Sequence, residues 1–280
     1  MQKFFEIYKK QIIGGAALLF IALNIIVLSE MLVEKTAAEA TIYFLNVGDG
    51  DAVFISMKGG QQILIDGGPD SKILAELGKI TPFYNHFIDI VVLTKPDASH
   101  AGGLIDVLKR YNVGEIIEVG VDGKTTEYNE FEKLVEAKNI KDIVADKPFS
   151  ISFSGVSILN FLTSSDDGAI VTEFNFEGKK ILLMSGADRK IENKLLAEEA
   201  VGDVDVLKIG HNGSKTSATE AFLNIVKPEY VVVSVGAKNR FGYPSEEVLG
   251  RLSATGAKIF RTDLDGTIKL EIRGGQLIWK

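Results

Sequence analysis

The sequence predicts an α/β domain of two sheets with helices on their outer faces. Three observations carry this. Asp89–Thr94 (DIVVLT) is a continuous apolar run, as in a strand covered on both sides. From that run onward, strand-like and helix-like segments alternate. Short β-rich runs separated by Gly and Asp turns also crowd the start and middle of residues 41–280.

The elements follow in order. Thr41–Asn46, Ala52–Met57 and Gln62–Ile65 read as strands, and Pro69–Lys79 as a helix with proline at its start. After the 89–94 strand come a helix over Ala101–Tyr111 and a strand over Glu115–Val119. The next helix, Thr125–Lys138, has Tyr128, Phe131, Leu134 and Val135 on one face. Four strands occupy the middle: Ile151–Phe153, Val156–Leu162, Ala169–Phe176 and Lys180–Ser185, the last two forming a hairpin around Glu177-Gly178. Helix 188–200, strand 204–209, helix 218–226, strand 230–235, helix 245–254, strand 257–260 and a final strand pair ending at Trp279 complete the pattern.

At 280 residues the chain can bury a sizeable core without covalent staples. It has no cysteine, which excludes a disulfide framework, a thiolate metal site and a cysteine nucleophile. Residues 1–40 hold four Lys and four Glu, so the formal charge of -7 lies wholly in 41–280. An acidic domain repels phosphate backbones at long range, which counts against general nucleic-acid binding.

The run Ile12–Leu28 is almost purely apolar, and with its flanks it is long enough to cross a hydrocarbon core of roughly 30 Å. Lys3, Lys9 and Lys10 precede it and Glu30 and Glu34 follow. The positive-inside rule then gives a cytoplasmic N-terminus (1–10), a transmembrane anchor (11–29), a stem (30–40) and an extracytoplasmic domain (41–280). Membrane lipid is thus the expected partner of the N-terminal helix. The competing expectation is a signal peptide cleaved near Ala38-Glu39-Ala40, which would release the domain. The anchor is favoured because the apolar run is long for a signal core and lies some distance from that site.

Seven short motifs occur in order, nearly all at strand ends: FLNVGDGDA (44–52), LIDGG (64–68), VVLTKPDASHAGG (91–103), ILLMSGAD (181–188), VLKIGHNGSKTS (206–217), VSVGAKNRFGYP (233–244) and RTDLDGTI (261–268). Together they resemble the metallo-β-lactamase-fold domain of the ComEC-type DNA-uptake proteins. The resemblance covers roughly residues 41–272 and excludes the many-helix channel region of the full-length proteins. It implies an αββα sandwich with its site at the sheet edges. It also implies two divalent metals, held by a Thr-His-x-Asp-x-Asp-His loop, an Asp in a later turn and a His-His-Gly-Ser loop, which activate water for attack on a phosphodiester.

Against that pattern this chain departs at several ligand positions. Lys95 replaces the first His, Ser99 the second Asp, Ala187 the bridging Asp and Asn212 the second His of the later loop; Tyr243 stands where relatives commonly carry His. Asn46 and Asp49 stand where relatives often have Asp and Gln. A protonated lysine cannot ligate a cation. Removing carboxylates and removing the cations that held them together are coherent changes. The expectation is that a Lys95–Asp97 or Lys95–Asp188 ion pair fills the former metal volume. Asp97, His100, Asp188 and His211 remain as ligands for at most one zinc or manganese ion, so the cofactor is none or one divalent metal.

Plainer roles compete at each position. His100 and His211 can hydrogen-bond each other or Asp97, and His86 is read as structural or exposed. Ser214, Lys215 and Thr216 form a candidate anion cradle near a helix start, or Thr216 or Ser217 simply caps that helix. Asn239, Arg240 and Tyr243 either contact a phosphate or shape a turn, and Asp263 with Asp265-Gly266 reads as a turn. The candidate site is therefore Lys95, Asp97, Ser99, His100, Asp188, His211, Asn212 and Tyr243. The functional expectation is an anchored, non-catalytic domain of hydrolase fold. The alternative is a metal-dependent phosphodiesterase or nuclease with a reduced ligand set, its nucleic-acid substrate inferred from the family alone. β-Lactam hydrolysis ranks below both.

Overall fold

The computed structural model describes residues 39–120, 125–153, 157–163 and 168–280. The expected anchor and cytoplasmic N-terminus lie outside the described residues. Among the described residues, no helix is long and apolar enough to cross a membrane. Residues 40–280 form one compact unit, and its first strand starts at Ala40, inside the expected stem.

The strands are β1 (Ala40–Phe44), β2 (Val53–Met57), β3 (Gln62–Ile65), β4 (Phe87–Leu93), β5 (Asn112–Glu118), β6 (Lys141–Val144), β7 (Phe149–Phe153), β8 (Ser157–Phe161), β9 (Thr172–Phe176), β10 (Lys179–Leu183), β11 (Val206–Lys208), β12 (Tyr230–Val233), β13 (Lys258–Arg261), β14 (Ile268–Arg273) and β15 (Gln276–Trp279). The helices are α1 (Lys72–Ile80), α2 (Ala98–Arg110), α3 (Thr126–Ala137), α4 (Arg189–Ala197), α5 (Glu220–Val226), α6 (Glu246–Ala254) and the one-turn α7 (Thr262–Asp265). One sheet has eight strands in the order β15-β14-β1-β2-β3-β4-β5-β6, the other seven in the order β13-β12-β11-β10-β9-β8-β7.

Side-chain alternation explains the layers. In β4, Ile90 and Val92 join a core shared with Phe161, Phe174, Ile181 and Val206 of the other sheet. Val91 and Leu93 point the opposite way, into a core with α1, α2 and α3. In the second sheet Leu182, Leu207 and Val231 pack against α4, α5 and α6. Strands with two apolar faces thus place the sheets back to back with helices outside, as the continuous DIVVLT run predicts. The strands β3–β6 run parallel, as do β10–β13. The loops following β3, β4, β10, β11 and β12 open on one rim and bear the chemistry.

Several boundaries differ from the sequence expectation. Strand β6 has no counterpart there: KDIV is short, largely exposed and at a sheet edge, so it shows no apolar pattern. It is joined to β5 by parallel pairing and by Lys141 to Glu115 at 2.7 Å. Helix α1 starts at Lys72 rather than Pro69, because Asp70 Oδ1 accepts the Lys72 N–H and holds a turn before it. Residues 169–171 lie outside β9. The Asp263–Asp265 segment is a helical turn ended by Gly266 at φ 73°. Helix α5 is capped by Thr219, not Thr216 or Ser217.

Candidate functional site

A cleft of about 220 Å³ opens at the rim. The loop after β4 contributes Lys95, Asp97, Ser99 and His100; the later loops contribute Gly186, His211, Asn212 and Tyr243. Seven of the eight candidate residues therefore line one cavity. Asp188 does not line it. Its Oδ1 caps α4, accepting N–H bonds from Lys190 (2.9 Å) and Ile191 (3.4 Å), though its charge still acts on His211.

Asp97 is heavily engaged. It caps α2 by accepting the Ser99 N–H at 3.0 Å, and its Oδ1 also accepts the Ser99 hydroxyl at 2.6 Å. His100 Nδ1 meets the same oxygen at 2.7 Å, and Lys95 Nζ lies 3.2 Å from Oδ2. Of the two ion pairs the sequence allows, Lys95–Asp97 forms. These bonds and the two cations hold the Asp97 carboxyl well below the usual carboxylate range despite burial.

A carboxylate only accepts, so His100 Nδ1 carries a proton and Nε2 faces the interior. Nε2 is buried with no hydrogen-bond partner, 3.9 Å from Asp51 Oδ2. Burial works against charge on His100, but Asp66, Asp97 and Asp51 outweigh it and raise its pKa. Beneath it, Asp66 accepts both the N–H (2.8 Å) and the hydroxyl (2.7 Å) of Thr94. Burial pushes the Asp66 carboxyl up to about 6.

Asp51, Asp66 and Lys208 all fall inside the ordered motifs, but the sequence alone assigns none of them a place in the site. Lys208 Nζ lies 2.7 Å from Asp51 Oδ1, and both side chains are sealed from solvent. Strand parity could have revealed this: Val206 faces the core between the sheets, so Lys208, two residues on, shares that face. Asn212 Nδ2 also reaches Asp51 Oδ1 at 3.4 Å and donates to the Ser234 carbonyl at 2.9 Å. His211 lies edge-on to Tyr243, and its pKa is lowered by burial and by Lys95. Asn239 shapes a turn, exchanging hydrogen bonds with the Tyr243 backbone.

The anion cradle is internally satisfied. Ser214, Lys215 and Thr216 do not line the cleft, and the Ser214 and Thr216 hydroxyls lie 3.2 Å apart, facing each other. The N–H groups of Ala218 and Thr219 donate to buried Glu192, at 2.6 and 2.9 Å. Arg251 donates to the carbonyls of Lys215, Ser217 and Ala218. His86 is exposed and packs edge-on to Tyr111.

The residues present do not fit a two-metal centre. Lys95, Ser99, Ala187 and Asn212 supply no anionic or imidazole donor at four ligand positions, and Asp97 is already bonded to Ser99, His100 and Lys95. Asp97, His100, Asp188 and His211 do not converge on one point. Among the described residues, the cluster at this rim whose ligand atoms lie within 4.8 Å of one another is Asp51, Asp66 and His100, a triad that could hold one divalent ion.

Two back-to-back sheets, helices on both outer faces and a cleft at the carboxyl ends of the parallel strands define a metallo-β-lactamase-fold protein. In sequence it is similar to competence proteins that share this type of domain. Recombination protein 2 of Haemophilus influenzae is 28% identical over 234 residues, covering 81% of this chain and 28% of that protein. Competence protein ComA of Neisseria gonorrhoeae is 29% identical over 245 residues, 85% of this chain and 33% of that one. ComE operon protein 3 of Bacillus subtilis is 24% identical over 259 residues, 83% and 33%. The chain thus spans about a third of the length of these relatives or less. No protein-family model matches it. Among solved structures, CmlA, a diiron β-hydroxylase from Streptomyces venezuelae, superposes with a TM-score of 0.56 at 15% identity, covering 84% of this chain and 55% of that one. A diphosphatase of the PhnP family gives 0.52 at 17% identity, covering 86% and 100%. At these identities the likeness is one of fold.

Proposed function

We propose that this chain is a membrane-anchored, extracytoplasmic domain of metallo-β-lactamase fold that binds or scaffolds without hydrolysing. One observation carries the reading: Asp97 in the cleft and Asp51 beneath it are met by the chain's own cations. Asp97 is met by Lys95 and His100, and Asp51 by Lys208. A divalent ion would have to enter against two ammonium groups held by short ion pairs. The anchor at 11–29, with 1–10 cytoplasmic, rests on the apolar run and its flanking charges; a released domain after signal cleavage is the other outcome. Nucleic acid is a partner by analogy to the competence relatives alone, and the acidic charge of residues 41–280 opposes it.

The test is metal content after exhaustive dialysis, together with turnover of a generic phosphodiester and of single-stranded DNA with added Mn²⁺ or Zn²⁺. Two retained equivalents, or metal-dependent turnover lost in His211→Ala, would sink the non-hydrolytic reading. A second reading has its own support, the buried unpartnered His100 Nε2 beside Asp51 and Asp66. It is a hydrolase using one ion at that triad, and turnover lost in His100→Ala with one bound equivalent would favour it.

A further inference from the structure

The rim opposite the cleft carries an unusual feature. The loop between α1 and β4 exposes Phe83 (88%), Tyr84 (74%) and Phe87 (47%). Solvent exposure of three neighbouring aromatics is costly unless something covers them. The loop is built rather than slack: the Asn85 N–H donates to the Pro82 carbonyl, Phe83 and Tyr84 pack edge to face at 5.4 Å, and His86 packs on Tyr111. Beside it lies a hollow of about 400 Å³ lined by Leu74, Phe83, His86, Arg110 and Tyr111 among others, with no carboxylate in its lining.

Strand direction says what this rim faces. Strand β1 is antiparallel to β2, β2 to β3, and β3 is parallel to β4. Strands β1, β3 and β4 therefore run the same way, so Ala40 and Phe87 start at the same rim while Phe44 and Leu93 end at the cleft. The chain enters the domain at the rim that bears the aromatics. Between the apolar run and β1 lie residues 29–39, which reach at most about 40 Å even fully extended.

We infer that Phe83, Tyr84 and Phe87 seat this rim on the bilayer that the apolar run 12–28 enters, so that the cleft faces away from the membrane. The inference rests on the anchored reading above. The hydroxyl-tipped ring of Tyr84 suits the headgroup boundary, the phenyl rings of Phe83 and Phe87 suit the acyl edge beneath it, and exposed Arg110 on the same rim suits lipid phosphates.

The absence of cysteine provides the test. The full chain is reconstituted into vesicles of phosphatidylcholine and phosphatidylglycerol, carrying a fluorophore at F83C, at Y84C, at F241C on the cleft rim, or at L19C in the apolar run. Quenching by brominated lipid is then read. The expected result is loss of fluorescence at positions 19, 83 and 84 and none at 241. Quenching at 19 with none at 83 or 84 overturns the seating while leaving the anchor intact. No quenching at 19 overturns the anchor and the seating with it. Quenching at 241 equal to that at 83 overturns the orientation. Positions 83, 84 and 241 are highly exposed, so the thiols remove little packing.

Discussion

Lys208 Nζ and Asp51 Oδ1 meet at 2.7 Å with the side chains only 1% and 3% exposed, joining the end of β11 to the loop after β1. The residues are far apart in sequence, and each is the other's counter-charge in a site with little water. Taking one away leaves a buried, uncompensated charge. Lys208→Met is therefore expected to cost about 3–5 kcal/mol. Lys208→Met with Asp51→Asn should recover part of that loss. Urea unfolding of the two variants and the parent checks both statements.

Asp66 sets a pH dependence of stability. Its carboxyl is pushed up to about 6 in the folded protein against 3.8 for an ordinary aspartate, because burial outweighs the pull of His100 and of the Thr94 hydrogen bonds. The folded state thus binds the proton more tightly. The stabilisation is complete below pH 3.8 and lost as pH rises through about 6, amounting to about 3 kcal/mol. Asp66→Asn should flatten the profile in that window. Denaturation midpoints between pH 4 and 7 measure it. The raised pKa of His100 adds stability that is present below 6.5 and lost at higher pH, on the alkaline side of the Asp66 window.

Gly103 fixes the α2 start against the Asp66 loop. A Cβ there would lie 2.1 Å from the Gly67 carbonyl oxygen and 2.7 Å from that of Asp70, both backbone atoms that cannot swing aside. The Gly103 N–H to Gly68 carbonyl bond and the Gly67 N–H to His100 carbonyl bond cross the same contact. Gly103→Ala should cost about 2–3 kcal/mol and loosen His100. Thermal unfolding reports the first effect, and the His100 side-chain resonances in NMR report the second.

Restoring ligands should restore metal. Lys95→His, Ser99→Asp, Ala187→Asp and Asn212→His together rebuild the donor pattern that the competence-type motif implies. Ala187 is fully buried, so its aspartate is costly without a cation. The combined variant should melt below the parent in chelator and gain stability on adding Zn²⁺ or Mn²⁺, while the parent responds little. A differential scan with and without metal decides it, and an unresponsive variant would place the ligand loops too far apart to share an ion.

The layers were legible because they rest on local periodicity: DIVVLT announces a strand covered on both faces, and its alternation sorts Val92 from Leu93. The Lys95–Asp97 pair was legible for a similar reason, as both residues sit in one tight loop. The partners of Asp51 were not, because they come from β11 and the loop after it, a separation no local pattern records. The cap of α5 was misassigned since Ser214, Thr216, Ser217 and Thr219 are four hydroxyl residues within six positions, and tertiary contacts to Glu192 and Arg251 choose among them. Strand β6 was hidden because it is a short edge strand with a single side chain, Ile143, turned to the core, too little for an apolar pattern.

The bonds at the rim reach across the two sheets. Asp51 precedes β2 of the eight-stranded sheet, yet it is gripped by Lys208 and Asn212 of the seven-stranded one, and Gly236 admits Asp49 so closely that a Cβ would strike its carboxylate. The loops that would do chemistry in a hydrolase therefore also act as a clasp between half-domains. The clasp has to stay shut whether or not the chain turns over a substrate. Retained motif residues of this kind report cohesion as readily as catalysis, and the substitutions to weigh are those, like Ala187, that the clasp does not use.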